Sequence, residues 1–203
     1  MKKQQKSKGR RVLMLNSDYS PIATISWRRA IVLSIINAEN PHKGLQIQSY
    51  YDEYALTCGG RKIPIPAVVV SPVYIRQDKR KLSFSRKHVF LRDQLTCCYC
   101  GWQDLTGTKL TYDHVIPRTI WAKKGYKGTP TRWTNIVTCC IPCNRKKADK
   151  DLKESGMKLL KVPVEPKASQ FVLGISPWSK IPKEWWDYMP PLYKHILCKN
   201  VKC

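Results

Sequence analysis

The chain has 203 residues, 42% of them hydrophobic, so it can enclose a core and is not disordered throughout. Lys and Arg number 37 against 14 Asp and Glu, a formal charge of +23 that favours a polyanionic partner. Nucleic acid is the expected partner, with an acidic membrane surface as the alternative. No apolar run approaches the roughly 20 residues needed to span a bilayer, which argues against a membrane protein.

Residues 1–11, MKKQQKSKGRR, read as a basic flexible arm that either touches phosphates or only solubilises the chain. The apolar run Val12–Leu15 stops at Asn16, too short for a signal peptide, so a cytoplasmic location is expected. Residues 12–85 read as a small α+β module. Turn signals at Asn16-Ser17-Asp18 and Ser20-Pro21 predict two short strands in VLMLNSDYSPIATISW. Ser26 is then placed to cap a helix through WRRAIVLSIINAE, closed by Asn40-Pro41. Tyr50 to Thr57 and Ala67 to Arg76 are strand-like, the second rich in β-branched residues. This module offers no catalytic constellation and reads as scaffold.

Residues 76–92 are densely basic with Phe84 and Phe90 interleaved, and SRKHVFLRD predicts a short helix. Arg86, Lys87 and Arg92 in this stretch are candidate nucleic-acid contacts, a solvated helix face being the alternative. A polar, helix-compatible stretch covers Asn144 to Lys153. From residue 161 a proline-punctuated extension carries Trp178, Trp185, Trp186, Tyr188 and Tyr193. Such aromatics either wrap back into a core or stack on bases, and wrapping is the commoner fate of large rings.

Nine cysteines, an odd number with no export signal, argue against a disulfide framework. Six fall in two tight clusters, and Cys58, Cys198 and Cys203 stand apart. Cys97 with Cys100 and Cys140 with Cys143 each form C-x-x-C, a spacing that lets one tight turn aim two thiolates at a tetrahedral ion. Two such knuckles predict a four-sulfur structural zinc, leaving Cys98 and Cys139 as bystanders. The interval between them exceeds that of a simple zinc ribbon, so it has room for a further function.

That interval contains KLTYDHVIPRT, in which Lys109 to Asp113 alternates like a strand and Pro117 ends the run. Asp113 and His114 are neighbours and would point to opposite sides of a strand, so they cannot share one ion as adjacent ligands. Farther on come Trp133-Thr134-Asn135-Ile136-Val137 and Asn144, the latter directly after the second knuckle.

D-H-V-I-P-R, then W-T-N-I-V, then C-x-x-C-N resembles the HNH endonucleases with a four-cysteine zinc site. The resemblance covers residues 86 to about 157, and a weaker likeness to bacterial and phage relatives extends over VLMLNSDYSPIATISWRRAIVL. It implies an α+β protein with a ββα-metal HNH core at 86–160, preceded by the small α+β module and followed by the extension at 161–203.

The resemblance implies a phosphodiester hydrolase in which His114 is the general base and Asp113 and Asn144 hold a divalent ion, Mg²⁺ or another. Asn135 would orient the loop carrying His114, and Arg118 and Lys147 would contact phosphates. The third letter of the motif is Asn144 rather than His, which suits a hard cation. Each residue also has an ordinary structural explanation. A zinc-stabilised nucleic-acid-binding protein that does not cut, and a branched-DNA resolvase, remain open, as does a monomeric or dimeric state.

Overall fold

The computed structural model describes residues 9–36, 40, 44–76, 82–176, 178 and 180–193. Most of the expected basic arm, part of the basic stretch before residue 82, and Cys198 and Cys203 lie outside the described residues. The chain forms two compact units, one of Met1–Arg80, Ser169–Ile175 and Lys180–Pro190, the other of Lys81–Ala168, Ser176–Ser179 and Pro191–Cys203. No described helix is long and apolar enough to cross a membrane.

The first unit is built on β1 (Arg11–Leu15), β2 (Pro21–Ser26), β3 (Gln46–Leu56) and β4 (Lys62–Val70). They form one sheet in the order β2-β1-β4-β3, with β1 parallel to β4 and the other pairs antiparallel. Consecutive residues Val12 and Leu13, and likewise Ala67, Val68 and Val69, are fully buried. Successive strand side chains face opposite ways, so these central strands are covered on both faces.

Helix α1 (Trp27–Ile35) starts where the Ser26 hydroxyl accepts the Arg29 N–H, and it buries Trp27 and Ala30. The far end of the predicted helix, residues 37–39, lies outside the described residues. Trp185, on a 3-10 turn over Lys183–Tyr188, is buried, and its indole N–H donates to the Ala67 carbonyl at 2.9 Å. Strand β4 stops at Val70 rather than running to Arg76. The Asn16 side chain takes both the N–H and the carbonyl of Ile75, so this stretch is held as a loop by side-chain bonds.

The second unit opens with α2 (Arg86–Arg92), whose first turn is capped by Ser85 accepting from the His88 N–H. Strands β5 (Leu110–His114) and β6 (Ile136–Cys140) pair antiparallel, with Asp113 opposite Val137 and His114 opposite Ile136. Between them lies α3 (Arg118–Lys123), which the sequence reading missed by taking Pro117 only as the end of a strand. Pro117 sits at the N-cap, where a proline suits the start of a helix as well as the end of a strand.

Helix α4 (Ile141–Lys147) follows β6 directly, completing a β-β-α unit. The polar helix expected over Asn144–Lys153 is divided. Ala148 takes a positive φ of 49° and ends α4, and a capping box between Asp151 and Glu154 starts α5 (Leu152–Ser155). Phe90, Leu95, Tyr99, Leu110, Val137 and Met157 form the core of this unit together with four cysteines.

Candidate metal centre and active site

The first C-x-x-C follows α2 as a turn in which the Gly101 N–H donates to the Cys97 carbonyl, Gly101 supplying φ 77°. The second spans the junction of β6 and α4. One ligand atom from each of Cys97, Cys100, Cys140 and Cys143 lies within 4.8 Å of the others. The Sγ atoms of Cys100 and Cys140 are 3.8 Å apart, matching the about 3.8 Å edge of a tetrahedron with 2.3 Å zinc–sulfur bonds. The donor set and spacing therefore fit zinc. Burial pushes the thiol of Cys98 up to about 12 and raises that of Cys139 too, so these two stay neutral beside the cluster.

Asp113 and His114 diverge from adjacent positions of β5. The Asp113 carboxylate is 9% exposed and turns toward the knuckles, where its Oδ2 accepts the Tyr99 hydroxyl at 2.6 Å and meets Lys147 Nζ at 3.0 Å. Among the described residues nothing donates to Oδ1, and that oxygen is not sealed from solvent. Asn144, half-buried on α4, makes no side-chain hydrogen bond to another described residue. An open carboxylate oxygen and an unengaged amide are the donors a hard divalent cation takes, with water or phosphate completing its shell.

The half-buried His114 ring faces the other way. Its Nε2 lies 3.1 Å from the Thr131 hydroxyl and 3.4 Å from Arg118 Nε. Arginine only donates, so Nε2 is the acceptor and the neutral ring carries its proton on Nδ1. Burial, then the Arg118 charge, holds the imidazole below its usual range, keeping it neutral at pH 7. Asn135 ties together the loops on either side. Its Oδ1 accepts the Ile116 N–H at 2.9 Å, and its Nδ2 donates to the carbonyls of Ile116 and Pro130 at 3.1 and 2.9 Å.

Residues 97–150 match the family model described as HNH endonuclease, and residues 12–79 match HNH endonuclease-associated, N-terminal domain. The chain carries an HNH domain. Its architecture fits a zinc-knuckle ββα core, with both C-x-x-C pairs and both strands inside the matched residues. No curated protein and no solved structure matches the chain.

The HNH domain places the sequence-predicted residues unevenly. Cys97, Cys100, Cys140 and Cys143 converge, Asp113 and His114 lie on β5, Asn135 lies in the turn just before β6, and Asn144 lies on α4. Two of the residues expected to contact phosphate, Lys147 and Arg92, are buried. Lys147 is 0% exposed and spends its ammonium on Asp113 and on the His114 carbonyl at 2.7 Å.

Arg92 is 7% exposed. Its guanidinium pairs with Asp93 and donates to the carbonyls of Trp133 and Ile136, each at 2.7 Å, joining α2 to β6. Both cations are desolvated and satisfied internally, so neither is available to a polyanion. Arg86 is exposed but partly committed, donating to the Leu110 carbonyl at 2.9 Å with its guanidinium 5.1 Å from the Phe90 ring centroid. Lys87 and Arg118 are exposed.

Sequence reasoning missed Tyr99 and Thr131, since no local pattern announces a hydroxyl that reaches a residue many positions away. The Asn135 clamp gives a checkable expectation. Asn135→Ala removes the partners of one part-buried N–H and two carbonyls, and should destabilise the intact chain by about 2 kcal/mol, read from its denaturant midpoint.

Proposed function

We propose that this chain is a metal-dependent DNA endonuclease that hydrolyses phosphodiester bonds. The observation that carries the reading is the composition of the β5 end: an imidazole whose acceptor nitrogen Nε2 is held between Thr131 and Arg118, next in sequence to a carboxylate with one uncommitted oxygen. His114 takes a proton at Nε2 from the attacking water, with Thr131 and Arg118 orienting the ring. Asp113 Oδ1 and the Asn144 amide would hold a divalent ion, Mg²⁺ by their hardness, whose charge would stabilise the departing oxygen. Asn135 keeps the His114 loop in place.

Arg118, Lys87 and Arg86 are the phosphate contacts of this reading, and double-stranded DNA is the substrate that the net charge of +23 and the HNH match favour. One centre per chain cuts one strand, so a double-strand break requires two protomers or two events. A reducing, cytoplasmic compartment suits thiolates held for metal.

The test is supercoiled plasmid incubated with the full chain and Mg²⁺, beside His114→Ala. Loss of the general base is expected to slow cleavage by about 10²- to 10⁴-fold with plasmid retention unchanged. Equal cleavage by both proteins would remove His114 from the reaction. Salt-sensitive retention with no cleavage by the parent in any divalent metal would establish a binding protein instead. Preference for four-way junctions over linear duplex would assign a resolvase.

A further inference from the structure

The two donors on Asp113 come from the two zinc knuckles. Tyr99 lies between Cys97 and Cys100, and Lys147 lies on α4 one turn after Cys143. The chain sections meet on one oxygen, Oδ2, at 2.6 and 3.0 Å. Both donors are buried, Lys147 completely. The ammonium also bonds the His114 carbonyl at 2.7 Å, so it fixes the end of β5 as well as the carboxylate.

A carboxylate on its own turns readily about its last torsion, which is broad and two-fold, so its two oxygens exchange roles. A hydroxyl donor and an ammonium ion pair on the same oxygen remove that equivalence. The Tyr99 contact has the length expected of a hydroxyl bound to an ionised carboxylate. Oδ1 is then the oxygen left with open lone pairs.

We propose that Tyr99 and Lys147 are positioning residues of the catalytic centre, holding Asp113 Oδ2 so that Oδ1 is presented to the divalent ion. This rests on reading Asp113 as a ligand of that ion. The thiolate cluster consequently orients the active-site carboxylate through the backbones it pins, in addition to holding the fold. Partners of this kind set metal affinity, and their loss typically costs about 10- to 100-fold in binding.

The test uses the full chain with its four-cysteine site filled, verified as one zinc per chain by mass spectrometry, and Mn²⁺ as the probe. Mn²⁺ binding is followed by electron paramagnetic resonance for the parent, Tyr99→Phe, Lys147→Gln and Asp113→Ala. Tyr99→Phe keeps the ring in the core and removes one hydroxyl. It is expected to weaken Mn²⁺ binding by about tenfold or more while zinc content stays at the parental value and the fold is retained. Lys147→Gln is expected to shift binding in the same direction.

Tyr99→Phe binding Mn²⁺ within about twofold of the parent, with Asp113→Ala abolishing it, would overturn the clamp and leave the ligand assignment standing. Parental binding by Asp113→Ala would overturn the ligand assignment and the clamp together. Loss of zinc from Tyr99→Phe would show that the hydroxyl serves the thiolate site, and would also overturn the proposal.

Discussion

Stripping the ion from Cys97, Cys100, Cys140 and Cys143 with a strong chelator is expected to unfold the second unit outright. That unit has a two-stranded sheet and short helices, and a lone strand pair is marginal in water. Two of the ligands, Cys97 and Cys140, belong to its core and a third, Cys143, packs against it, so the metal site is part of the packing. Removing the ion leaves thiol groups crowded within 4.8 Å with nothing at their centre. Structural zinc contributes about 10–16 kcal/mol in small zinc-dependent peptides, comparable to or above the about 5–15 kcal/mol stability of a whole domain.

Near-ultraviolet circular dichroism reports on Trp121 and Trp133, both buried in this unit. Their signal should collapse on chelation and return when zinc is restored. Cys100→Ser should reproduce the loss without chelator. Persistence of the signal in the metal-free chain would show that the core alone sustains the unit.

Lys147→Met is expected to destabilise the chain by about 3–5 kcal/mol, the usual cost of breaking a buried ion pair from one side. The side chain is fully buried and is matched by Asp113 and the His114 carbonyl. Truncating the charge leaves Asp113 with the Tyr99 hydroxyl as its remaining described donor and strands a strand-end carbonyl. Methionine nearly conserves the volume, so the loss comes from electrostatics and hydrogen bonding rather than from a cavity.

The measurement is the denaturant midpoint, with Asp113→Asn and the double substitution completing a cycle. The double variant should recover most of the loss, because a neutral amide no longer demands a cation. A strictly additive double variant would show that the pair is not coupled.

What could be read ahead of the structure was whatever is written in short stretches of chain. C-x-x-C spacing encodes a turn, so the four ligands were legible without knowing where β5 and β6 lie. Ser26 and Ser85 each sit beside the helix they cap and could be recognised by position. The fate of the charges was not legible in the same way. Lys147 and Arg92 sit in basic runs that look solvated, and both are internal because of partners more than thirty positions away.

A run of lysines carries no mark distinguishing the member that faces the core. Burial of one depends on an acid delivered by another strand, here Asp113 from β5. The end of β4 failed for a related reason. The β-branched pattern continued, but a distant asparagine, Asn16, claimed the Ile75 backbone first.

The order in which the segments are linked bears on how the chain is made. Residues 169–175 and 180–190 complete the first unit, supplying Phe171, Val172 and Trp185 to its buried interior. The Leu173 carbonyl accepts the Thr24 N–H at 2.8 Å, beside an isolated bridge between Ala23 and Leu173. A ribosome therefore releases the four-strand sheet long before the residues that close it. The knuckles, lying wholly within 97–143, emerge while that sheet is still unfinished. The sheet written first in the gene is closed only by residues made after both zinc knuckles, and a nascent chain halted near residue 168 would carry the knuckles while that sheet is still open.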